Sequence, residues 1–261
     1  PAVLVFDAKG ALLSAWGDRF GGAHGLTLVN EDGTEYLWLT DQYSSEVVKT
    51  TLDGKPVLRL EPASHPAYEK SQYAPTWTAV HEERFGGNGD IWVADGYGSH
   101  YVHRHDKTGR YVGSINGTEG KARRFDCPHG IWVDYRKPEP ELYIADRGNR
   151  QMQVYDLEGK FKRAFGSDIF TSPCGCVTHG GKLFVPELNA RLTVLDEDNH
   201  LICYLGENEE VCSLPEWPNL QSQLIQRGKI NSPHAMAADV KGNLYVVEWI
   251  IGGRITKLEK C

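Results

Sequence analysis

The segment "HGIWVDYRKPEPELYIADRGNRQMQVYDLEGKFKRAFG", residues 129–166, sets out an order that the rest of the chain repeats. An apolar strand leads to a turn, then "LYIAD", a polar turn, "MQVYD", a Leu-Glu-Gly turn, and a closing strand ending in Phe-Gly. The order begins again at His24, with "HGLTLVNEDGTEYLWLTDQYSSEVVKTTLDGKPVLRL", at Thr76, at Cys174 and, shortened, at His234. That makes five copies in 261 residues, and residues 3–17 supply only two further strands. Short runs of Val, Leu, Ile, Tyr and Trp alternate with Gly, Asp and Asn turns, with no long helical period between them. A unit this small cannot bury its own apolar faces, so neighbouring copies must cover one another.

Four short antiparallel strands recurring at about 40–60 residues predict an all-β fold of the β-propeller kind. An open row of blades would leave two bare faces, which closure into a ring removes. The last copy carries its own third strand, "RITKLEK", so the amino-terminal "VLVFD" is assigned to a separate blade. The expectation is a six-bladed β-propeller of four-stranded antiparallel blades, one of them incomplete, with its first two strands upstream of Pro1. Residues 1–261 read as a single β-propeller domain with an insertion at about 207–229. A hydrophobic share of 40% suffices for its core.

Net charge is −7 and the basic residues are scattered, which argues against nucleic acid as a partner. No apolar run approaches the roughly 20 residues of a membrane span, and residues 1–20 lack the pattern of a secretory signal. Six cysteines (Cys127, Cys174, Cys176, Cys203, Cys212, Cys261) do not make a disulfide scaffold in a chain of this length. Cys203 and Cys212 flank a loop and read equally as a bridge or as free thiols. Asn116-Gly117-Thr118 fits a glycosylation acceptor. The compartment stays open, with a secreted or periplasmic setting favoured over the cytoplasm, and the oligomeric state is not legible.

Aligned at the start of the innermost strand, the copies place His24, Thr76, His129, Cys174 and His234 in one column. The three histidines fall in alternate copies, each 105 residues from the next although the intervening repeats differ in length. In a six-bladed ring, alternate blades are related by a threefold axis, so the three imidazoles converge on the channel. Three neutral nitrogens with one position left open are what a catalytic zinc site retains, and another divalent ion would also suit them. A histidine packed on its neighbouring strand is the plainer reading of any one of them; the alternation is what that reading leaves unexplained. Cys174 reads as a packed inner-strand residue. The remaining histidines (His65, His81, His100, His103, His105, His179, His200) read as surface residues of outer strands and turns.

The second strand of each copy returns to the same end and finishes at Asp41, Asp95, Asp146, Glu187 or Glu248. These read as acceptors of turn amides. Just beyond, Tyr97 and Arg147 are long enough to lean toward the channel. A phenol beside a divalent ion has a lowered pKa and serves as a base, and a guanidinium grips a carboxylate through paired hydrogen bonds.

Each copy resembles the NHL repeat, which runs Pro-x-Gly-apolar, "LYVAD", then "V-x-V-F-D-x-x-G", and the resemblance covers nearly all of the chain outside the insertion. The chain further resembles the peptidyl-α-hydroxyglycine α-amidating lyases, also called peptidylamidoglycolate lyases, in "AHGL" at His24, "FDCPHG" at His129 and "SPHAM" at His234. "ADGYG" resembles the segment carrying that family's active-site tyrosine, and "ADRG" one carrying an arginine. The resemblance implies a six-bladed propeller with an axial zinc on His24, His129 and His234, Tyr97 as proton acceptor, and Arg147 holding a substrate carboxylate. The family pattern differs at Ser232 and Ala235, where it has methionine and aspartate, and its principal arginine would lie upstream of the first complete copy.

The functional expectation is a zinc-dependent lyase of this type, cleaving a C–N bond of a small-molecule or peptide substrate at the axial channel. A hydrolase on the same ligands is a near variant, and a lactonase-like site is disfavoured because it holds metal through oxygens. The rival expectation is a non-catalytic NHL propeller, a protein- or peptide-binding scaffold presenting Trp77, Trp217 and Trp249.

Overall fold

A computed structural model describes residues 1–61 and 63–260; Cys261, one of the six cysteines, lies outside the described residues. The fold is all-β, of the β-propeller class, and the chain divides into two compact units.

The first unit comprises Pro1–Glu119 and Cys127–Val133. It opens with β1 (Val3–Phe6) and β2 (Leu12–Trp16), paired with each other in a two-stranded sheet. One blade follows, made of β3 (Ala23–Glu31), β4 (Thr34–Asp41), β5 (Glu46–Thr51) and β6 (Pro56–Leu60) in that spatial order. A second holds β7 (Trp77–Val80), β8 (Ile91–Ala94), β9 (Val102–His105) and β10 (Tyr111–Ile115). The unit also contains most of β11 (Pro128–Asp134). Val29, Trp38, Val47, Leu60, Tyr73, Val80, Ile91 and Val93 form the apolar layer between its two blades. Val3, Phe20, Leu39 and Val48 form another against β1.

The second unit comprises Gly120–Asp126 and Asp134–Cys261. Here β12 (Glu141–Asp146), β13 (Gln151–Tyr155) and β14 (Phe161–Phe165) pair in succession. They are followed by the four-stranded blade of β15 (Val177–His179), β16 (Lys182–Glu187), β17 (Arg191–Leu195) and β18 (Leu201–Leu205). The three-stranded β19 (Pro233–Ala238), β20 (Leu244–Glu248) and β21 (Arg254–Leu258) come last. The inner strands are buried on both faces: every residue of β12 and β17 is covered, whereas β14 alternates between partly buried and exposed.

Several of the hairpins reuse one turn. At Asp7, Asp106, Asp156 and Asp239 a carboxylate oxygen accepts the amides two and four residues on, at 2.8–3.1 Å. The chain reverses through a glycine three residues on, at φ of 85° to 88° (Gly10, Gly109, Gly159, Gly242), a conformation a Cβ penalises. Asp196 heads the same turn with Asn199 at φ 67° in the glycine's place, the other residue type that tolerates this region.

Six blades were expected; among the described residues the structure has five, and the amino-terminal strands form only the β1–β2 pair. Residues 3–17 contain one hairpin of alternating apolar residues and nothing that could add strands to it. A second correction concerns the histidines. His103 and His105 are fully buried, because β9 is covered on both faces, while His65, His81, His100 and His179 are partly buried and His200 alone is exposed. Trp77 and Trp217 are likewise partly buried, and of the three tryptophans only Trp249 is exposed.

The 207–229 insertion packs on its own unit. Trp217 Nε1 donates to Asn231 O at 3.0 Å, Asn231 Nδ2 to Pro218 O at 2.9 Å, and Lys229 Nζ to Glu207 O at 2.7 Å. Cys203 and Cys212 are free, with Cys203 exposed. Among the described residues, no helix is long and apolar enough to cross a membrane.

Candidate functional site

His24, Tyr97 and His129 meet within the first unit. His24 is the second residue of β3, where the pairing with β4 slips between Ala23 and Leu26; this bulge re-aims the side chain. The neighbouring Gly25 sits so close to the next blade that a Cβ there would lie 2.5 Å from the Thr76 carbonyl oxygen. That carbonyl accepts a hydrogen bond from His24 Nδ1 at 2.8 Å. A carbonyl can only accept, so Nδ1 carries the proton and the neutral ring presents a bare Nε2 lone pair.

His129, the second residue of β11, is fully buried, and its carbonyl accepts from Thr76 Oγ1 at 2.7 Å. The two Nε2 atoms of His24 and His129 lie 3.2 Å apart, their rings nearly edge to face at 77°. The hydroxyl oxygen of Tyr97 stands 3.3 Å from the first nitrogen and 3.1 Å from the second. The phenolic oxygen and the two ring nitrogens therefore converge on a common point.

Tyr97 reaches that point because "ADGYG" turns tightly. Gly96 would place a Cβ 2.6 Å from Pro128 O, and Gly98 would place one 2.1 Å from Asp95 Oδ1. The corner acids do serve turn amides. Asp41 accepts from Gly22, Tyr43 and Ser44, and Asp95 from Ala74 and Ser99. Asp146 accepts from Asp126, Glu187 from Thr171 and Ser172, and Glu248 from Asn231 and Ser232. Burial raises the pKa of Asp95 and of Asp146, and these hydrogen bonds oppose it.

In the second unit His234 occupies the equivalent place, second in β19, with the same slip in pairing between Pro233 and Ala235. It is partly buried, and Ser232 beside it donates from Oγ to Trp249 O at 2.9 Å. Arg147 is partly buried and opens the turn after β12, its carbonyl accepting from Arg150 N. Thr76 is the residue the sequence did not single out as functional. It stands in the same alignment column as the histidines, yet acts through its carbonyl on His24 and its hydroxyl on His129.

A β-propeller whose blades bring paired imidazoles and a phenol together at the start of their innermost strands carries a candidate functional site there. No protein-family model matches the chain. It is similar to "Peptidyl-alpha-hydroxyglycine alpha-amidating lyase 1" of Drosophila melanogaster, 28% identical over 264 residues, covering 92% of this chain and 45% of the fly protein. The chain therefore spans less than half of that relative. "NHL repeat-containing protein 3" of Homo sapiens is 28% identical over 265 residues, with 95% of this chain and 70% of that protein covered. A probable lyase of the same name from Caenorhabditis elegans is 26% identical over 246 residues, covering 88% and 63%. Among solved structures, virginiamycin B lyase from Staphylococcus aureus shares the fold at a TM-score of 0.55 and 14% identity, covering 93% of this chain and 71% of that one.

Proposed function

We propose that the chain is the catalytic propeller of a zinc-dependent lyase acting on a peptide or small molecule that ends in an α-hydroxyglycine-like group. The observation that carries this reading is the convergence of Tyr97 Oη with Nε2 of His24 and His129. We assign His24, His129 and His234 as the nitrogen donors of one divalent ion. The donor chemistry fits such an ion: His24 has its other nitrogen fixed by a backbone carbonyl, as metal-ligating imidazoles characteristically do. When bound, zinc supplies Lewis acidity toward a substrate oxygen.

The protein's own groups do the rest. Tyr97, 38% exposed, is placed to take the proton of the substrate hydroxyl from the solvent side. Acting as the phenolate, Tyr97 takes that proton, the oxygen's freed pair forms the aldehyde C=O as the C–N bond breaks with its pair going to nitrogen, and Tyr97 returns the proton to the nitrogen, which leaves as a neutral amide. Arg147 is assigned to hold the substrate carboxylate by a two-pronged contact. His129, wholly buried, keeps its nitrogen aimed without competition from water.

Elemental analysis and a cleavage assay with a peptide ending in α-hydroxyglycine test this together. About one zinc per chain, absent from His129→Ala, is expected. Tyr97→Phe should keep the metal and lose at least about 100-fold in kcat. A wild-type protein without metal, or an unimpaired Tyr97→Phe, rejects the reading. The similarity to the human NHL repeat-containing protein and the exposed Trp249 favour the second reading, a binding platform, in that event.

A further inference from the structure

The corner acid behind Tyr97 is held unlike its four counterparts. Asp41 is satisfied by amides alone, Asp146 by an amide and the side chains of Asn149, Gln151 and Gln153, Glu187 also by Arg191, and Glu248 also by Arg254. Asp95 instead accepts from the Tyr68 hydroxyl at 2.7 Å, and that oxygen meets His103 Nε2 at 2.5 Å. His103 Nδ1 continues to Ser114 Oγ at 2.7 Å, which lies 2.6 Å from the Tyr111 hydroxyl.

Proton counting gives this chain a direction. Its four links are served by four protons, one each from Tyr68, His103, Ser114 and Tyr111, with the carboxylate as terminal acceptor. All four links are made with Asp95 ionised only when every donor points toward Asp95. That places the His103 proton on Nε2 and leaves the ring neutral. Burial agrees, holding the His103 pKa down to about 3, with His105 and His65 nearby adding repulsion of a second charge.

Asp95 in turn fixes both ends of the Tyr97 turn. Its carboxylate takes the amides of Ala74 at 2.7 Å and Ser99 at 2.6 Å, and its carbonyl takes His100 N at 3.1 Å. The Tyr97 amide itself donates to Ala74 O at 3.3 Å. The close approach at Gly98 leaves the turn no slack.

We propose that Tyr68 and His103 are positioning residues for Tyr97, setting the reach of its hydroxyl toward His24 and His129 through Asp95. The consequence for catalysis rests on the reading of Tyr97 as proton acceptor; the consequence for its placement does not. The test uses the intact chain with 3-fluorotyrosine at position 97, followed by fluorine NMR alongside peptide cleavage. Tyr68→Phe and His103→Ala should shift and broaden the fluorine resonance. They should lower kcat by about tenfold or more with KM changed less than about twofold and zinc retained. His103→Gln, which offers one donor and one acceptor, should restore the wild-type resonance. Thr193→Val, which strips a hydroxyl from the Glu187 corner, serves as the control for general loosening and should leave the resonance in place.

A resonance unmoved in Tyr68→Phe overturns the proposal, as does an equal displacement in Thr193→Val. Should His103→Ala fail to fold, Tyr68→Phe, which removes a single oxygen, decides the matter. If the wild-type protein does not cleave the peptide, the lyase reading falls while the fluorine resonance still judges this one.

Discussion

Acidification from pH 7 to pH 5 should destabilise the protein through His103 and His105. Burial lowers the first to about 3 and the second to about 4, from an ordinary value of 6.5. A base whose pKa is depressed by folding contributes stability that is complete above its unfolded value and is lost as the pH falls toward its folded one. The window here runs from about 6.5 downward, because the unfolded chain takes up two protons that the native chain refuses. Over pH 7 to 5 the linkage amounts to about 2 kcal/mol per histidine, or about 4 kcal/mol for both. Urea unfolding followed by tryptophan fluorescence at the two pH values measures the effect. His103→Gln and His105→Gln should each remove about 2 kcal/mol of the pH dependence, whatever they do to stability at pH 7. Variants that keep the wild-type pH dependence would refute the claim that these rings are folded in neutral form.

Gly25→Ala drives a Cβ to 2.5 Å from Thr76 O, so it should cost about 1–3 kcal/mol in thermal unfolding. It should also weaken zinc binding by about 10–100-fold in a competitive chelator titration, by disturbing the carbonyl that orients His24. A thiol reagent should modify exposed Cys203 in the native protein and reach Cys174, which is fully buried, only after unfolding; mass spectrometry of the labelled peptides checks the order.

The repeat was legible because each copy spells out the same strand and turn order, and the Asp-headed turns confirm it at atomic level. The approach of His24 and His129 was legible for a related reason: shared register puts their side chains at the same end of their blades, the end at which the turn carrying Tyr97 also lies. Two things were not. Alternation in "HYVHRH" suggests one wet face, yet a strand between two blades has none, so His103 and His105 are interior. Thr76 orients His24 through a main-chain oxygen, which every residue possesses and no side-chain pattern advertises. The blade number differs from the expectation: among the described residues five blades form, and residues 3–17 contribute only the β1–β2 pair.

Because Thr76 holds one imidazole by its carbonyl and the other strand by its hydroxyl, the two functions separate cleanly at a single position. Chemistry at the side chain can loosen His129 without ever erasing the grip on His24. The tilt of that ring is tied instead to the spacing of two neighbouring sheets, so small breathing between them would tune its aim as a hinge tunes a mirror.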